Sequence, residues 1–130
     1  MSPVYGYARV SATDQNLDAQ VEKLQTAGAE VIRSEKVSGT SLGGRKELET
    51  LMEFLREGDT LLVTRIDRLA RSTRDLMNIV YELEQRGVRV RATDQPSFDT
   101  GDIYGEVTMK LLAVFAEFET KIRKERQMEG

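Results

Sequence analysis

The chain has 130 residues, 32% of them charged, which is the composition of one soluble domain. Its formal net charge of −3, taken alone, argues against a nucleic-acid partner. It contains neither cysteine nor histidine, which excludes disulfides, thiol chemistry, a Ser-His-Asp triad and the usual zinc sites. No run approaches the ~18 apolar residues of a membrane span and no signal peptide is recognisable after Met1, so the expected location is cytoplasmic.

Apolar runs alternate with helical patterns along the first hundred residues. The expected strands are 4–10, 30–35, 60–66 and 88–93. The expected helices are 16–27, 45–57 and a third that carries Leu76, Ile79, Val80 and Leu83. The residues expected to close these helices are Gly28, Gly58 and Gly87. The alternation predicts an α/β fold with a mostly parallel central sheet flanked by helices.

A long helix is predicted over 101–130, after an α/β core over 1–100. One apolar row recurs at helical spacing: Tyr104, Val107, Leu111, Val114, Phe118 and Ile122. A second row lies beside it: Met109, Leu112 and Ala116. Two rows are typical of an oligomerisation helix that packs on its own sheet and on a partner chain, and a single wide buried face is the alternative. The charged run TKIRKERQMEG at its end is expected of a segment of a longer protein.

Arginines gather where the predicted strands end. In an open parallel sheet, sites form beyond the carboxyl ends of the strands. The residues expected at this edge are Ser11 and the arginines Arg9, Arg45, Arg65, Arg68, Arg71 and Arg74. Because guanidinium groups bind phosphate through two donors and stay charged, arginines around a serine, in a chain without histidine, favour phosphoryl transfer over acyl transfer.

Simpler interpretations of the same residues stay open at this point. Ser11 fits a helix cap or a loop serine, and Asp67 fits a structural partner of an arginine. The arginines from 68 to 74 fit a solvated helix face. Neither a GxGxxG nor a GxxxxGK[ST] motif is present, so dinucleotide and P-loop sites are unsupported, and no tight carboxylate pair calls for a metal.

Several segments resemble the serine recombinases of the resolvase and invertase group. They are YARVSATDQNLDAQ, SGT followed by GR, IDRLARS and AEFETKIRKER. The match covers essentially the whole chain in order. The combination of YARVS and DQ with DRLARS about fifty residues later is specific, whereas either half alone is weaker.

The resemblance implies a role for each matching residue. It implies that Ser11 is the nucleophile that becomes a phosphoserine link to a DNA 5′ end, and that Asp67 orients arginines or exchanges a proton. The arginines implied to bind the scissile phosphate are Arg9, Arg45, Arg68 and Arg71. The supporting residues implied are Gln15, Gln20, Glu35 and Ser38. The residues implied to contact DNA are Lys121, Arg123, Lys124 and Arg126, and Glu119 is implied in assembly.

The family also implies that the chain acts on DNA, forms a homodimer, and assembles into a tetramer in the active complex. It implies neither a metal nor another cofactor. On this resemblance 1–100 is the catalytic core and 101–130 the dimerisation helix near DNA. Three features depart from the family pattern: an extra residue before Arg45, Ala70 in place of the usual glycine, and no helix-turn-helix domain within the chain. A phosphate-binding module without catalysis and a pure oligomerisation domain remain the alternative functions.

Overall fold

A computed structural model describes residues 3–11, 17–37, 45–70, 72–96, 98–101 and 103–129. The strands are β1 (Val4–Ser11), β2 (Val31–Val37), β3 (Thr60–Val63) and β4 (Arg89–Ala92). The helices are α1 (Leu17–Thr26), α2 (Lys46–Phe54), α3 (Thr73–Gln85) and α4 (Ile103–Glu129), with one turn of 3-10 helix at Ile66–Arg68. No helix within these ranges is both long and apolar enough to cross a membrane.

The four strands form one parallel sheet in the order β2-β1-β3-β4. The predicted α/β fold with a parallel sheet is therefore confirmed. β1 pairs with β2 from Tyr5 to Ser11, but it pairs with β3 only from Val4 to Gly6. The ends of β1 and β2 thus run past the end of β3, and the residues that follow β3 can fold back against the exposed side of β1.

The two faces of the sheet bury cores of unequal size. Tyr7, fully buried, belongs to the larger core beneath α2 and α3, while its neighbour Ala8 belongs to a smaller core beneath α1. This alternation follows from the two-residue period of a strand. Burying a leucine or a similar side chain contributes roughly 1.5–3 kcal/mol. The two cores therefore hold β1, and with it the residues at its end, in a fixed position.

Two elements are shorter than predicted. The helix predicted to reach residue 57 ends at Phe54, because the fully buried Leu55 is extended and the Arg86 guanidinium donates hydrogen bonds to the carbonyls of Met52 and Leu55. The strand predicted over 60–66 ends at Val63, after which the chain enters the 3-10 turn. Other ends shift by one or two residues.

Helix α4 buries only part of its apolar surface. Met109 and Leu112 pack against the larger core. The side chains left mostly in solvent are Val107, Leu111, Val114, Phe115 and Phe118, which are 53–65% exposed. The alternative of one wide buried face is therefore wrong. Gly105 lets α4 start beside the loop before it, since a Cβ there would lie 1.6 Å from the Asp99 carbonyl oxygen.

Candidate active site

The end of β1 is joined to the turn after β3 by two arginines. Arg9 Nη2 donates to the carbonyl oxygens of Asp67 at 2.6 Å and Ala70 at 3.3 Å. Arg68 Nη1 donates in the other direction, to the carbonyl oxygen of Arg9 at 3.4 Å. Three of the residues predicted at the carboxyl edge, Arg9, Asp67 and Arg68, therefore do lie together.

The side chain of Gln20 also contacts the end of β1. Its Nε2 donates to the Arg9 carbonyl oxygen at 3.1 Å, and the residue is only 4% exposed. Among the described residues, no donor reaches its Oε1, a buried acceptor. The Arg9 carbonyl thus accepts from two side chains, those of Gln20 and Arg68, at a position where β1 has left its pairing with β3.

The carboxylate of Asp67 faces solvent. The side chain is 68% exposed and forms an ion pair with Arg65, whose Nε atom lies 3.4 Å from Oδ1 and whose side chain is 51% exposed. An ion pair this exposed contributes little to stability. Asp67 is therefore accessible to a molecule bound at the edge, and its backbone, rather than its carboxylate, receives the Arg9 hydrogen bond.

Glu35 is held by a buried tyrosine and by the start of α2. The Tyr7 hydroxyl donates a short hydrogen bond to Glu35 Oε2, and Glu35 Oε1 accepts from the Glu47 backbone N–H at 3.4 Å. Burial raises the pKa of the Tyr7 hydroxyl, and the Glu35 hydrogen bond and charge raise it further. The charges of Arg9 and Arg45 lower it in part, so both guanidinium groups act on this position.

Arg45 forms a two-point ion pair with Asp75 at the start of α3. The Nη1 atom lies 2.6 Å from Asp75 Oδ2 and the Nη2 atom 3.1 Å from Oδ1. The two side chains are 21% and 22% exposed. Asp75 also donates its backbone N–H to the Ser72 hydroxyl, the cap of α3. The predicted phosphate ligand Arg45 is therefore oriented by a carboxylate, with two of its five N–H groups used.

The remaining predicted residues divide into three groups. For Ser11 the backbone is described, as the last residue of β1, but its side chain lies outside the description, as does that of Arg123 in α4. Residues wholly outside the described ranges are Gln15, Ser38 and Arg71. The exposed ones are Lys121, Lys124 and Arg126, near the end of α4.

Arg74 does not join the group at the β1 edge. Its Nη2 donates to Thr120 Oγ1 at 3.0 Å and so connects α3 to α4. Within the described ranges, no group of three or more Asp or Glu side chains lies close enough together to hold a metal ion. The described part of the edge is thus a group of oriented guanidinium donors beside one exposed carboxylate, which suits the binding of an anionic phosphate.

A family model described as "Resolvase, N terminal domain" matches residues 4–130. The chain belongs to the resolvase N-terminal domain family. It is 53% identical over 96% of its length to "Integrase-like protein y4lS" of Sinorhizobium fredii, covering 68% of that protein. It is 41% identical to "Transposon Tn552 resolvase" of Staphylococcus aureus and 40% identical to "Serine recombinase gin" of Escherichia phage Mu, each over 96% of this chain and 64% of the relative.

The chain thus spans about two thirds of the length of these resolvase-family relatives. A resolvase family site-specific recombinase from Streptococcus pneumoniae has the same fold, with a TM-score of 0.81 at 23% identity over 100% of this chain and 95% of that one. The N-terminal catalytic domain of TP901-1 integrase gives a TM-score of 0.75 at 24% identity over 93% and 98%. The family resemblance read from the sequence is confirmed.

Three residues that support the candidate site of this resolvase domain were not predicted from the sequence. Asp75 had a local signal, since Ser72 and Asp75 have the spacing of a helix-capping pair. Tyr7 had none beyond its inward position on a strand. Gln95, whose side-chain oxygen accepts the Ile66 backbone N–H at 2.7 Å, had no signal either, because its partner lies 29 residues away.

Proposed function

We propose that this chain is the catalytic domain of a site-specific serine recombinase that cuts and rejoins DNA through a phosphoserine intermediate. The observation that carries the proposal is the pair of hydrogen-bonded links between Arg9 and the turn that bears Asp67 and Arg68. These links orient two guanidinium groups and hold the turn that bears the Asp67 carboxylate beside the end of the strand that terminates in Ser11. Family membership and the names of the relatives, a resolvase and a serine recombinase, support it.

In the proposed reaction, Ser11 Oγ attacks the phosphorus of a DNA phosphodiester. The bond from phosphorus to Oγ forms as the bond to the 3′ oxygen breaks, so the serine loses a proton and the departing 3′ hydroxyl gains one. One phosphate ester replaces another, and for this reason rejoining requires no ATP. Asp67, exposed at this edge, is a group through which such a proton could pass.

The arginines would stabilise charge on the phosphate oxygens of the transition state. A positioned donor of this kind is worth about 3 kcal/mol by analogy with an oxyanion-hole donor. Arg45 can contribute while it remains paired with Asp75, because that pairing uses only two of its five N–H groups. Arg71, Gln15 and Ser38 complete the proposed site from outside the described ranges.

Helix α4 is proposed to build the assembly that recombination requires. Its exposed row of large apolar side chains, running from Val107 to Phe118, is the surface proposed to pair two chains into a dimer, and two dimers would pair two DNA sites. The cations Lys121, Lys124 and Arg126 are exposed beyond this row and are proposed, with Arg123, to contact DNA phosphates. In this proposal residues 1–100 carry out the chemistry and 101–130 assemble it on DNA.

The test uses the full chain fused to a sequence-specific DNA-binding domain and supercoiled DNA with two cognate sites. Quenched reactions are analysed for protein attached covalently to 5′ ends. The wild type should form such adducts and Ser11→Ala should form none. The matched control is Ser34→Ala, which removes an exposed hydroxyl from β2 and should react like the wild type. Equal adducts from Ser11→Ala and the wild type would refute Ser11 as the nucleophile, whereas no adducts from either would favour a phosphate-binding module without catalysis.

A further inference from the structure

The loop after β4 runs beside the loop after β3. The backbone N–H groups of Thr93 and Asp94 donate to the carbonyl oxygens of Val63 and Thr64 at 2.8 and 2.9 Å, which extends the ladder beyond both strands. At the next position a side chain takes over: Gln95 Oε1 accepts the Ile66 N–H at 2.7 Å. The side chain thus continues the contact between the two loops to the first residue of the 3-10 turn.

This N–H is one of the donors that a helical turn cannot satisfy by itself, because it lies at the amino end of the turn. The turn supplies its own later bonds, from Leu69 and Ala70 N–H to the Ile66 carbonyl oxygen at 3.0 and 3.1 Å. Arg9 holds the other end through the carbonyls of Asp67 and Ala70. Gln95 and Arg9 therefore fix the two ends of the segment that presents Asp67 and Arg68.

Gln95 is itself restrained. Pro96 follows it and restricts its backbone to extended conformations. Its carbonyl oxygen accepts the Phe98 N–H at 2.9 Å, and Phe98 is 2% exposed in the larger core. Gln95, Arg65, Asp67 and Leu112 also line a small cleft of about 260 Å³ beside the turn. Gln95 thereby connects the larger core, through Phe98, to the turn at the candidate active site, through its side-chain oxygen.

We propose that Gln95 is a positioning residue of the recombination reaction, which fixes the turn so that Asp67 and Arg68 meet the scissile phosphate. This inference rests on the proposed function of the site. It assigns Gln95 an effect on the cleavage step and not on DNA affinity, because the Gln95 side chain acts through the backbone of the turn. What the role requires is an acceptor at this reach, so the amide group itself is not essential.

The test measures DNA affinity and the rate of adduct formation at saturating DNA for the fused full chain. Gln95→Leu keeps the size of the side chain and removes the acceptor; it should react about tenfold more slowly with unchanged affinity, the effect of one lost hydrogen bond. Gln95→Glu keeps an acceptor of the same reach and should restore most of the rate. Gln85→Leu makes the same change at the exposed end of α3 and should match the wild type.

The outcomes separate this inference from the function on which it rests. Wild-type adducts together with an unchanged rate for Gln95→Leu, or an equal loss of rate for Gln95→Leu and Gln95→Glu, overturn the role of Gln95 alone. Absence of adducts from the wild type overturns both. Thermal unfolding is measured for each variant, and if Gln95→Leu does not fold, Gln95→Asn, whose shorter amide cannot reach the Ile66 N–H, is judged by the same criteria.

Discussion

Replacing Asp75 by asparagine should destabilise the domain through Arg45. The pair has two contacts, at 2.6 and 3.1 Å, and each side chain is only about a fifth exposed, at 21% and 22%. Opposite charges about 4 Å apart attract by about 4 kcal/mol at an effective dielectric constant of about 20, and desolvation and lost side-chain freedom offset part of this. We expect Asp75→Asn to cost about 2 kcal/mol, since it leaves the Arg45 charge partly buried without its partner.

Urea unfolding of a double-mutant cycle measures this interaction. The cycle compares Asp75→Asn, Arg45→Gln and the double variant with the wild type, and we expect a coupling free energy of about 1–2 kcal/mol. The same loss should lower the melting temperature of Asp75→Asn by roughly 7 °C in a domain of this size. A coupling free energy below about 0.3 kcal/mol would place the pair among ordinary surface ion pairs and would refute the argument that Asp75 orients Arg45.

Two further predictions concern the buried tyrosine and α4. Because the folded-state pKa of Tyr7 is raised above the ordinary value of 10.0, the stabilisation from its neutral hydroxyl is complete below pH 10 and is lost as the pH rises further. Tyr7→Phe should therefore lose less stability than the wild type between pH 9 and 11 in urea unfolding, and parallel curves would contradict this. Phe118→Glu should weaken self-association in sedimentation equilibrium, whereas Phe54→Glu, a change at an equally exposed phenylalanine of α2, should not; equal effects would argue against α4 as the interface.

The fold class could be predicted from the sequence because the signals for strands and helices are local. Strand and helix periods alternate along the chain, and Gly28 and Gly87, predicted to close helices, have positive φ values of 104° and 74°. Gly58 also has a positive φ, 93°, but the prediction that it closes α2 is wrong, because α2 ends at Phe54 and Leu55 is extended. β4 has an equally local pattern, since its arginines at 89 and 91 alternate with Val90 and Ala92 and lie more exposed than they do. The strand and helix periods therefore sufficed to predict a mostly parallel sheet flanked by helices, but not the order β2-β1-β3-β4 of its strands.

Features that depend on distant partners could not be predicted. The end of α2 is fixed by Arg86 from another helix, and the turn after β3 is fixed by Arg9 and Gln95 from two other segments. The convergence of Arg9 and Arg68 followed from the rule that parallel strands end at one edge. The pairing of Arg45 with Asp75 did not follow from that rule, because it depends on how α2 and α3 lie against each other.

Identifying the residue that becomes covalently linked to DNA is the most direct test of the proposed function. Covalent adducts from the fused chain would be digested with nuclease and trypsin, and the peptide that retains a nucleotide phosphate identified by mass spectrometry. Cleavage after Arg9 and Lys23 gives the peptide 10–23, in which Ser11 is the one serine. The account predicts a phosphate ester on Ser11 of this peptide, linked to the 5′ end of the DNA. A linkage on any other peptide, or to a 3′ end, would contradict it.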